Sequence, residues 1–352
     1  MKTNAKERGR NTFFPMSRRA LAPVCLVRTG ASALRLIAMW LSLFAPTVAA
    51  ADEPSRQTVE VTEYAPKDDT FRGCTHLLFR DALEIVTTGK RFHFRRVGET
   101  AFRESPLTTF DDAHAVVFNA RDQLYYATDT GNHRLFSFRD PADGRIEQTA
   151  TTLAGVKLDR PHDIVVDSDG WMYALNPNKA EVFRFRGFGD QESVLDLSQH
   201  LGYSRALTVV GKTLYVVGSS AGKIVEIDNF EQRQFRVHAS FGKRRDAVAG
   251  SWQTTGLVPN DVEFHQGYWY VTSYFCPTYS QQTDCNERKF IRFKTWKDFE
   301  TGNWEDLSGL LPRDLVPYYL TPRGDHLYLA AFSHEAESQP GRIYRVARRQ
   351  SN

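Results

Sequence analysis

Six residues with reactive or ligand-binding side chains recur at corresponding positions along the chain, each at the start of a short apolar segment. They are His76, His114, His162, Arg205, Asn260 and Tyr318. In the last five segments a tyrosine follows this first residue after ten or eleven positions, and the segment at His76 is a weaker copy. Such regular spacing indicates that the six side chains occupy equivalent places in a repeated structure.

The residue types at these positions are suited to metal-dependent catalysis. Neutral imidazoles bind zinc, so His76, His114 and His162 are candidate ligands of a metal in a lyase or hydrolase. In such a site Arg205 would hold a substrate carboxylate, and Tyr318 would act as an acid or base. A calcium-dependent hydrolase is the second enzymatic interpretation, although calcium prefers several oxygen ligands.

Two non-catalytic interpretations remain open beside the enzymatic ones. The first, which we take as the main prediction, is a binding protein for a small molecule or peptide that uses Arg205, Asn260 and Tyr318. The second is purely structural, because such side chains often hydrogen bond only to water and to neighbouring backbone carbonyls. The sequence therefore leaves open whether zinc or calcium is bound and which residues, if any, are catalytic.

The segments that follow the six residues have the pattern of β-strands. Polar and apolar residues alternate, and Gly, Asp and Asn residues bound each run. Successive copies begin 38 to 58 positions apart, a length that suits one four-stranded blade per copy. We predict an all-β fold, a six-bladed β-propeller, in which the first strand of every blade lines a central channel and the six residues meet at one mouth.

The two ends of the repeated region predict how the ring closes. The last copy contains only three strands, whereas residues 57–64 form a strand with no partner at the start. We expect this N-terminal strand to complete the last blade, because closure removes the sheet edges that would otherwise associate with other chains.

Several segments resemble known propeller families. Residues 129–138, Asp-Thr-Gly-Asn-His-Arg-Leu-Phe-Ser-Phe, resemble the NHL-repeat signature, and residues 160–170 resemble the strand that opens such a blade. Residues 256–262 are similar to a strand of gluconolactonase and paraoxonase-like propellers, and Pro161-His162 is similar to the zinc-histidine strands of peptidyl-hydroxyglycine lyases. The resemblance implies a six-bladed propeller, and its lyase members imply zinc at His162.

Residues 1–51 have the features of a signal peptide. Arg35 precedes an apolar run over residues 36–51, which Pro46 interrupts and which ends in three alanines. A membrane-spanning helix needs about 20 apolar residues, so we predict cleavage after Ala50 or Ala51 and no membrane span afterwards. Residues 52–352 would then form a single propeller domain in the periplasm or outside the cell.

Charge and loop composition narrow the range of partners. Residues 52–352 carry 37 basic and 41 acidic side chains, so the body lacks the basic face that nucleic-acid binding requires. A long connection over residues 238–256 contains Trp252, which we predict to contact a ligand or a protein on the loop face.

The cysteines that remain after the leader predict one surface disulfide. Cys276 and Cys285 flank a polar, turn-rich segment and are the expected pair. Cys74 is expected to be a buried free thiol, because unpaired cysteine is among the most buried residue types.

Overall fold

Short antiparallel strands joined by tight turns account for nearly all of the regular structure. This computed structural model describes residues 58–65, 74–241, 257–273, 289–312, 315–333 and 342–348. The predicted leader, Trp252, Cys276 and Cys285 lie outside those ranges. Within them, Cys74 is a buried free thiol, as predicted, and no helix combines the length and hydrophobicity needed to cross a membrane.

The strands group into six four-stranded sheets, which we number as blades 1 to 6. Strand β1 (Val59–Glu63) comes first in the chain but belongs to blade 6. Blade 1 contains β2 (His76–Arg80), β3 (Leu83–Thr87), β4 (Phe92–Arg96) and β5 (Arg103–Glu104). Blade 2 contains β6 (Val116–Asn119), β7 (Leu124–Asp129), β8 (Arg134–Phe138) and β9 (Gln148–Ala150). A hairpin of β10 (Thr152–Leu153) and β11 (Val156–Lys157) precedes blade 3, which contains β12 (Ile164–Val166), β13 (Met172–Asn176), β14 (Glu181–Phe185) and β15 (Ser193–Asp196).

The second half of the ring repeats this arrangement. Blade 4 contains β16 (Ser204–Val210), β17 (Thr213–Gly218), β18 (Lys223–Asn229) and β19 (Gln234–Ala239). Blade 5 contains β20 (Pro259–His265), β21 (Tyr268–Ser273), β22 (Phe290–Phe293) and β23 (Glu305–Asp306), with helix α1 (Trp296–Thr301) between its last two strands and a 3-10 helix (Ser308–Leu310) after them. Blade 6 contains β24 (Leu315–Arg323), β25 (His326–Ser333) and β26 (Arg342–Arg348) together with β1.

The blades form a closed ring around their first strands. Each inner strand contacts the inner strand of the next blade, and β24 of blade 6 returns to contact β2 of blade 1. Strand β1 pairs antiparallel with β26, so that Val59 lies opposite Arg348 and Glu63 lies opposite Tyr344. The predicted six-bladed β-propeller closed by an N-terminal strand is therefore confirmed.

The repeated tyrosine of each copy packs between neighbouring blades. It lies on the second strand of blades 2 to 6, and less than a tenth of its surface is exposed in each of them: Tyr125, Tyr173, Tyr215, Tyr270 and Tyr328. Large aromatic rings fill space in one blade junction after another, because adjacent sheets diverge towards the outside and leave a wedge to be filled. The regular spacing seen in the sequence thus reflects packing between blades.

The outermost strands of blades 1 and 5 lack the pattern of the strands inside them. The alternating segments at 135–138, 182–185, 224–227, 290–293 and 343–346 form the third strands of their blades. In blades 1 to 5 a further strand follows, and in blades 1 and 5 it is only two exposed residues long. A short polar edge strand keeps a sheet from pairing with the sheet of another molecule. A strand of two residues is also too short to show alternating polar and apolar residues in the sequence.

Candidate functional site at the channel mouth

Three of the six repeated residues occupy β-bulges near the start of their inner strands. The register of β16 against β17 shifts between Ser204 and Ala206, which makes Arg205 the extra residue. Equivalent shifts place Asn260 and Tyr318 in bulges of β20 and β24. A bulge turns the side chain that it carries away from the regular alternation of the strand. The bulges thus bring Arg205 and Tyr318 together, although 113 positions separate them in sequence.

Arg205 and Tyr318 begin a hydrogen-bonded chain that runs through His114 to Asp112. The Arg205 guanidinium donates to the Tyr318 hydroxyl oxygen at 2.9 Å. That hydroxyl lies 3.3 Å from Nδ1 of His114, and Nε2 of His114 lies 3.2 Å from Asp112 Oδ1. Because the carboxylate only accepts, Nε2 carries the proton and Nδ1 accepts from Tyr318. Every donor in the chain therefore points from the arginine towards the aspartate.

His162 completes the group beside His114. The centroids of the two imidazole rings lie 4.1 Å apart, and Nδ1 of His162 lies 2.9 Å from the Arg205 carbonyl oxygen. Burial, assisted by the neighbouring His114 and Arg205, holds the pKa of His162 well below its usual range. His162 is consequently neutral and uses Nδ1–H as a donor to the carbonyl.

His76 lies apart from this group. Its ring packs edge-on against Tyr319, with the ring centroids 4.8 Å apart, and burial lowers its pKa to about 3. Within the part of the chain that the structure describes, no three His, Cys, Asp or Glu side chains are grouped as metal ligands. A zinc centre built from His76, His114 and His162 therefore stays a prediction.

Asn260 holds the backbone of Tyr318 in place. Its side-chain amide donates to the Tyr318 carbonyl oxygen at 2.7 Å, and the Thr272 hydroxyl donates to the same oxygen at 2.7 Å. Asn260 is 1% exposed. These contacts make Asn260 a positioning residue for the backbone of Tyr318.

Asp112 is a site residue that the sequence analysis missed. It stands two positions before His114, outside the repeated unit, and it adopts a left-handed backbone conformation with φ of 60°. Although burial opposes ionisation, the hydrogen bond from His114 holds the pKa of Asp112 below its usual range. The signal in the sequence was the run Asp111-Asp112-Ala113-His114, in which an acid precedes the repeated histidine.

Deeper in the channel, two aspartates each join their own blade to the next one, blade 3 to blade 4 and blade 5 to blade 6. Asp163 accepts the N–H of Leu207 in blade 4 at 2.6 Å, and Asp261 accepts the N–H of Leu320 in blade 6 at 2.7 Å. Each also accepts the N–H of the next residue on its own strand. Burial raises the pKa of Asp163 to about 7, and it raises the pKa values of Asp261 and the neighbouring Glu263 well above their usual range.

These buried carboxyls predict a loss of stability as the pH rises to neutrality. A pKa raised by folding means that the folded state keeps a proton that the unfolded chain releases, so the resulting stabilisation declines as the pH rises towards the folded pKa. His76 and His162, whose pKa values are lowered, act in the opposite sense, but only below about pH 6.5. We therefore expect the free energy of unfolding, measured with urea, to fall between about pH 6.5 and about pH 7.5, above the range of the histidines and around the folded pKa of Asp163.

The same titration of an Asp261→Asn variant serves as the control. It removes one of the raised groups and should flatten the decline. A wild-type protein whose stability stays constant or increases across this range would contradict the assignment of protonated carboxyls to the channel.

Comparison with known proteins places the chain by its fold. No family model matches it, and no curated protein sequence matches it significantly. Among solved structures, a catalytically inactive virginiamycin B lyase from Staphylococcus aureus with quinupristin has a TM-score of 0.55 at 12% identity, covering 82% of this chain and 99% of that one. A luciferin-regenerating enzyme has a TM-score of 0.57 at 12% identity, covering 82% and 95%.

Non-enzymatic propellers are equally similar. The WD40 repeats of RRP9 have a TM-score of 0.55 at 9% identity, covering 82% of this chain and all of that one. Likeness at such low identity shows the fold and leaves the activity open. Taken with the six closed blades, it identifies the chain as a six-bladed β-propeller, the fold implied by its NHL-like repeats.

Proposed function

We propose that this protein binds a small molecule or peptide at the channel mouth and that Arg205 recognises an anionic group of the ligand. The observation that carries the proposal is the buried contact of Arg205 with Tyr318, inside a chain of donors that all point the same way. Arg205 is 7% exposed. A buried guanidinium that a phenol holds in place on rigid inner strands is preorganised to bind a carboxylate.

The electrostatics of the mouth favour an anion. After burial, the positive charge of Arg205 is among the causes that lower the pKa of His162, which supports a positive field at the mouth. His162 responds by remaining neutral, so it adds a hydrogen-bonding ring without further charge. Asp112 faces His114 from the far end of the chain of donors and leaves Arg205 as the cation nearest to Tyr318.

The binding test compares acids with their amides. Alanylalanine and succinate would be titrated against alanylalaninamide and succinamide by calorimetry, at low salt. We expect the acids to bind, and we expect Arg205→Gln to lower the affinity for them by about tenfold or more, because charge-assisted hydrogen bonds contribute about 1.5–3 kcal/mol. Arg233→Gln, on an exposed turn of blade 4, is the matched control. Equal affinity of acids and amides, or equal binding by both variants, would refute anion recognition.

An acid–base enzyme of the lyase or hydrolase type is the second candidate, and the direction of the hydrogen bonds favours it. Tyr318 can pass its hydroxyl proton to Nδ1 of His114 and then take a proton from a substrate. Asp112 would stabilise the resulting imidazolium, and Arg205 would stabilise the phenolate. The proton balance of this step is complete within the four side chains.

Tyr318→Phe separates the two candidates. The change keeps the ring and removes the hydroxyl, so a pure binding protein should keep its affinity within a few fold. An enzyme of the proposed type should keep binding but lose turnover by about a hundredfold or more, which is the usual contribution of a general acid or base. His114→Ala should have the same effect on turnover, whereas Arg233→Gln should not.

A further inference from the structure

A second pocket lies between blades 1 and 2, at the opposite end of the inner strands from the channel mouth. Its volume is about 360 Å³, within the range typical of small-molecule sites. The strand ends and turns that form it supply three guanidinium groups and three aromatic rings: Arg80, Arg96, Arg139, Phe94, Phe118 and Tyr125. None of these residues belongs to the site at the mouth.

The charge of the pocket is incompletely compensated. Arg80 pairs with Asp81 at 2.6 Å, and Arg139 lies 3.6 Å from Glu147. Among the described residues, the Arg96 guanidinium has no ion pair or hydrogen bond, and Nε of Arg80 is buried without a hydrogen-bond partner. The other acid of the pocket, Asp140, already accepts a backbone N–H through its carboxylate. Donors thus remain for an anion that the protein does not itself supply.

The walls of the pocket suit a flat apolar group. The guanidinium carbon of Arg80 lies 4.2 Å from the centroid of the Phe118 ring, which holds the cation against an aromatic wall. Tyr125 is fixed between Phe118 and Phe138, with ring centroids 4.9 Å and 5.1 Å away. Among the described residues its hydroxyl has no hydrogen-bond partner, so it can donate to a bound ligand.

We propose that this pocket is a second binding site, for a small anion that carries an aromatic or other apolar ring, such as an aryl carboxylate, sulfonate or phosphate. Arg96 and Arg80 would bind the anionic group, and Phe94, Phe118 and Tyr125 would enclose the ring. Arginine forms strong, directional contacts with such groups, and a ring beside it increases the apolar area that binding buries.

The test uses benzenesulfonate as the probe and neutral benzenesulfonamide as its isostere, with binding followed by calorimetry and by ligand-observed NMR. We expect saturable binding of the sulfonate and at least about tenfold weaker binding of the sulfonamide. Arg96→Gln should weaken sulfonate binding by a similar factor without affecting the fold, because this side chain is exposed and holds no described contact. Arg233→Gln should behave as the wild type.

Two further measurements keep the result interpretable. Arg80→Gln should lower the affinity for the sulfonate as Arg96→Gln does, and the thermal stability of the Arg80→Gln variant shows whether it still folds. Arg96→Gln should leave the binding of succinate at the channel mouth unchanged, which distinguishes this site from the proposed function. Absence of saturable binding, or unchanged binding by the Arg80 and Arg96 variants, would overturn the proposal.

Discussion

A chain that begins at residue 66 is expected to melt about 10 °C or more below one that begins at residue 52, and to associate at high concentration. The shorter chain lacks β1, whose five residues pair with β26. Val59 and Val61 also pack against the apolar cluster of blade 6. Removing β1 breaks its hydrogen bonds to β26 and exposes part of this apolar cluster. We expect the two losses together to lower the free energy of unfolding by several kcal/mol, which corresponds to about 10 °C in a domain of this size.

Residues after β1 add a link to blade 1, which strengthens the expectation. The Tyr64 hydroxyl donates to Glu84 at 2.7 Å, and its ring packs against Tyr328 with the ring centroids 4.7 Å apart. Circular dichroism and size-exclusion chromatography would measure the effect, with Glu60→Ala as a control on an exposed position of β1. Equal melting temperatures and monodisperse elution of the two chains would show that closure contributes little.

The second large effect is expected from Asp261→Ala and Asp163→Ala. Each change leaves two N–H groups without their acceptor, one of them on the next blade. A buried donor that loses its partner costs about 1–3 kcal/mol, so we expect each variant to lose about 2–5 kcal/mol of unfolding free energy. Because Asp163 also acts on Asp261 electrostatically, the loss in the double variant should differ from the sum of the two single losses.

Urea unfolding of both single variants and the double variant would measure these losses. Asp169→Ala is the matched control, because Asp169 lies on an exposed turn of blade 3 and pairs only with exposed Lys212. A loss no larger than that of the control would mean that the inter-blade hydrogen bonds are replaced by others. Measurement below pH 7 keeps this comparison separate from the titration of the channel carboxyls.

The sequence predicted the blades because two independent periods agreed. Alternation identified the second and third strands, and the interval from each first residue to its tyrosine set the length of the first hairpin. The tyrosines carried this signal because each fills the junction between two blades. The short fourth strands of blades 1 and 5 gave no such signal, since they are exposed and pair with one neighbour only.

The candidate site was predicted only in part. His114, His162, Arg205 and Tyr318 do lie together, whereas His76 packs against Tyr319. Residues at equivalent positions of a repeat point in different directions when the strand register differs between copies. The alternation of polar and apolar residues does not show where a bulge changes that register. The two aspartates that join neighbouring blades share a position in the repeat, because Asp163 and Asp261 directly follow the first residue of their copies.

The bulges have a consequence for how such a protein can diverge. A residue in a bulge stands outside the regular cross-strand register, so its replacement disturbs the pairing of the sheet less than replacement of a ladder residue would. Arg205 and Tyr318 are therefore positions where new chemistry can arise while the blades stay intact. Evolution could change the selectivity of this channel one side chain at a time, and homologous propellers with the same architecture could bind unrelated molecules.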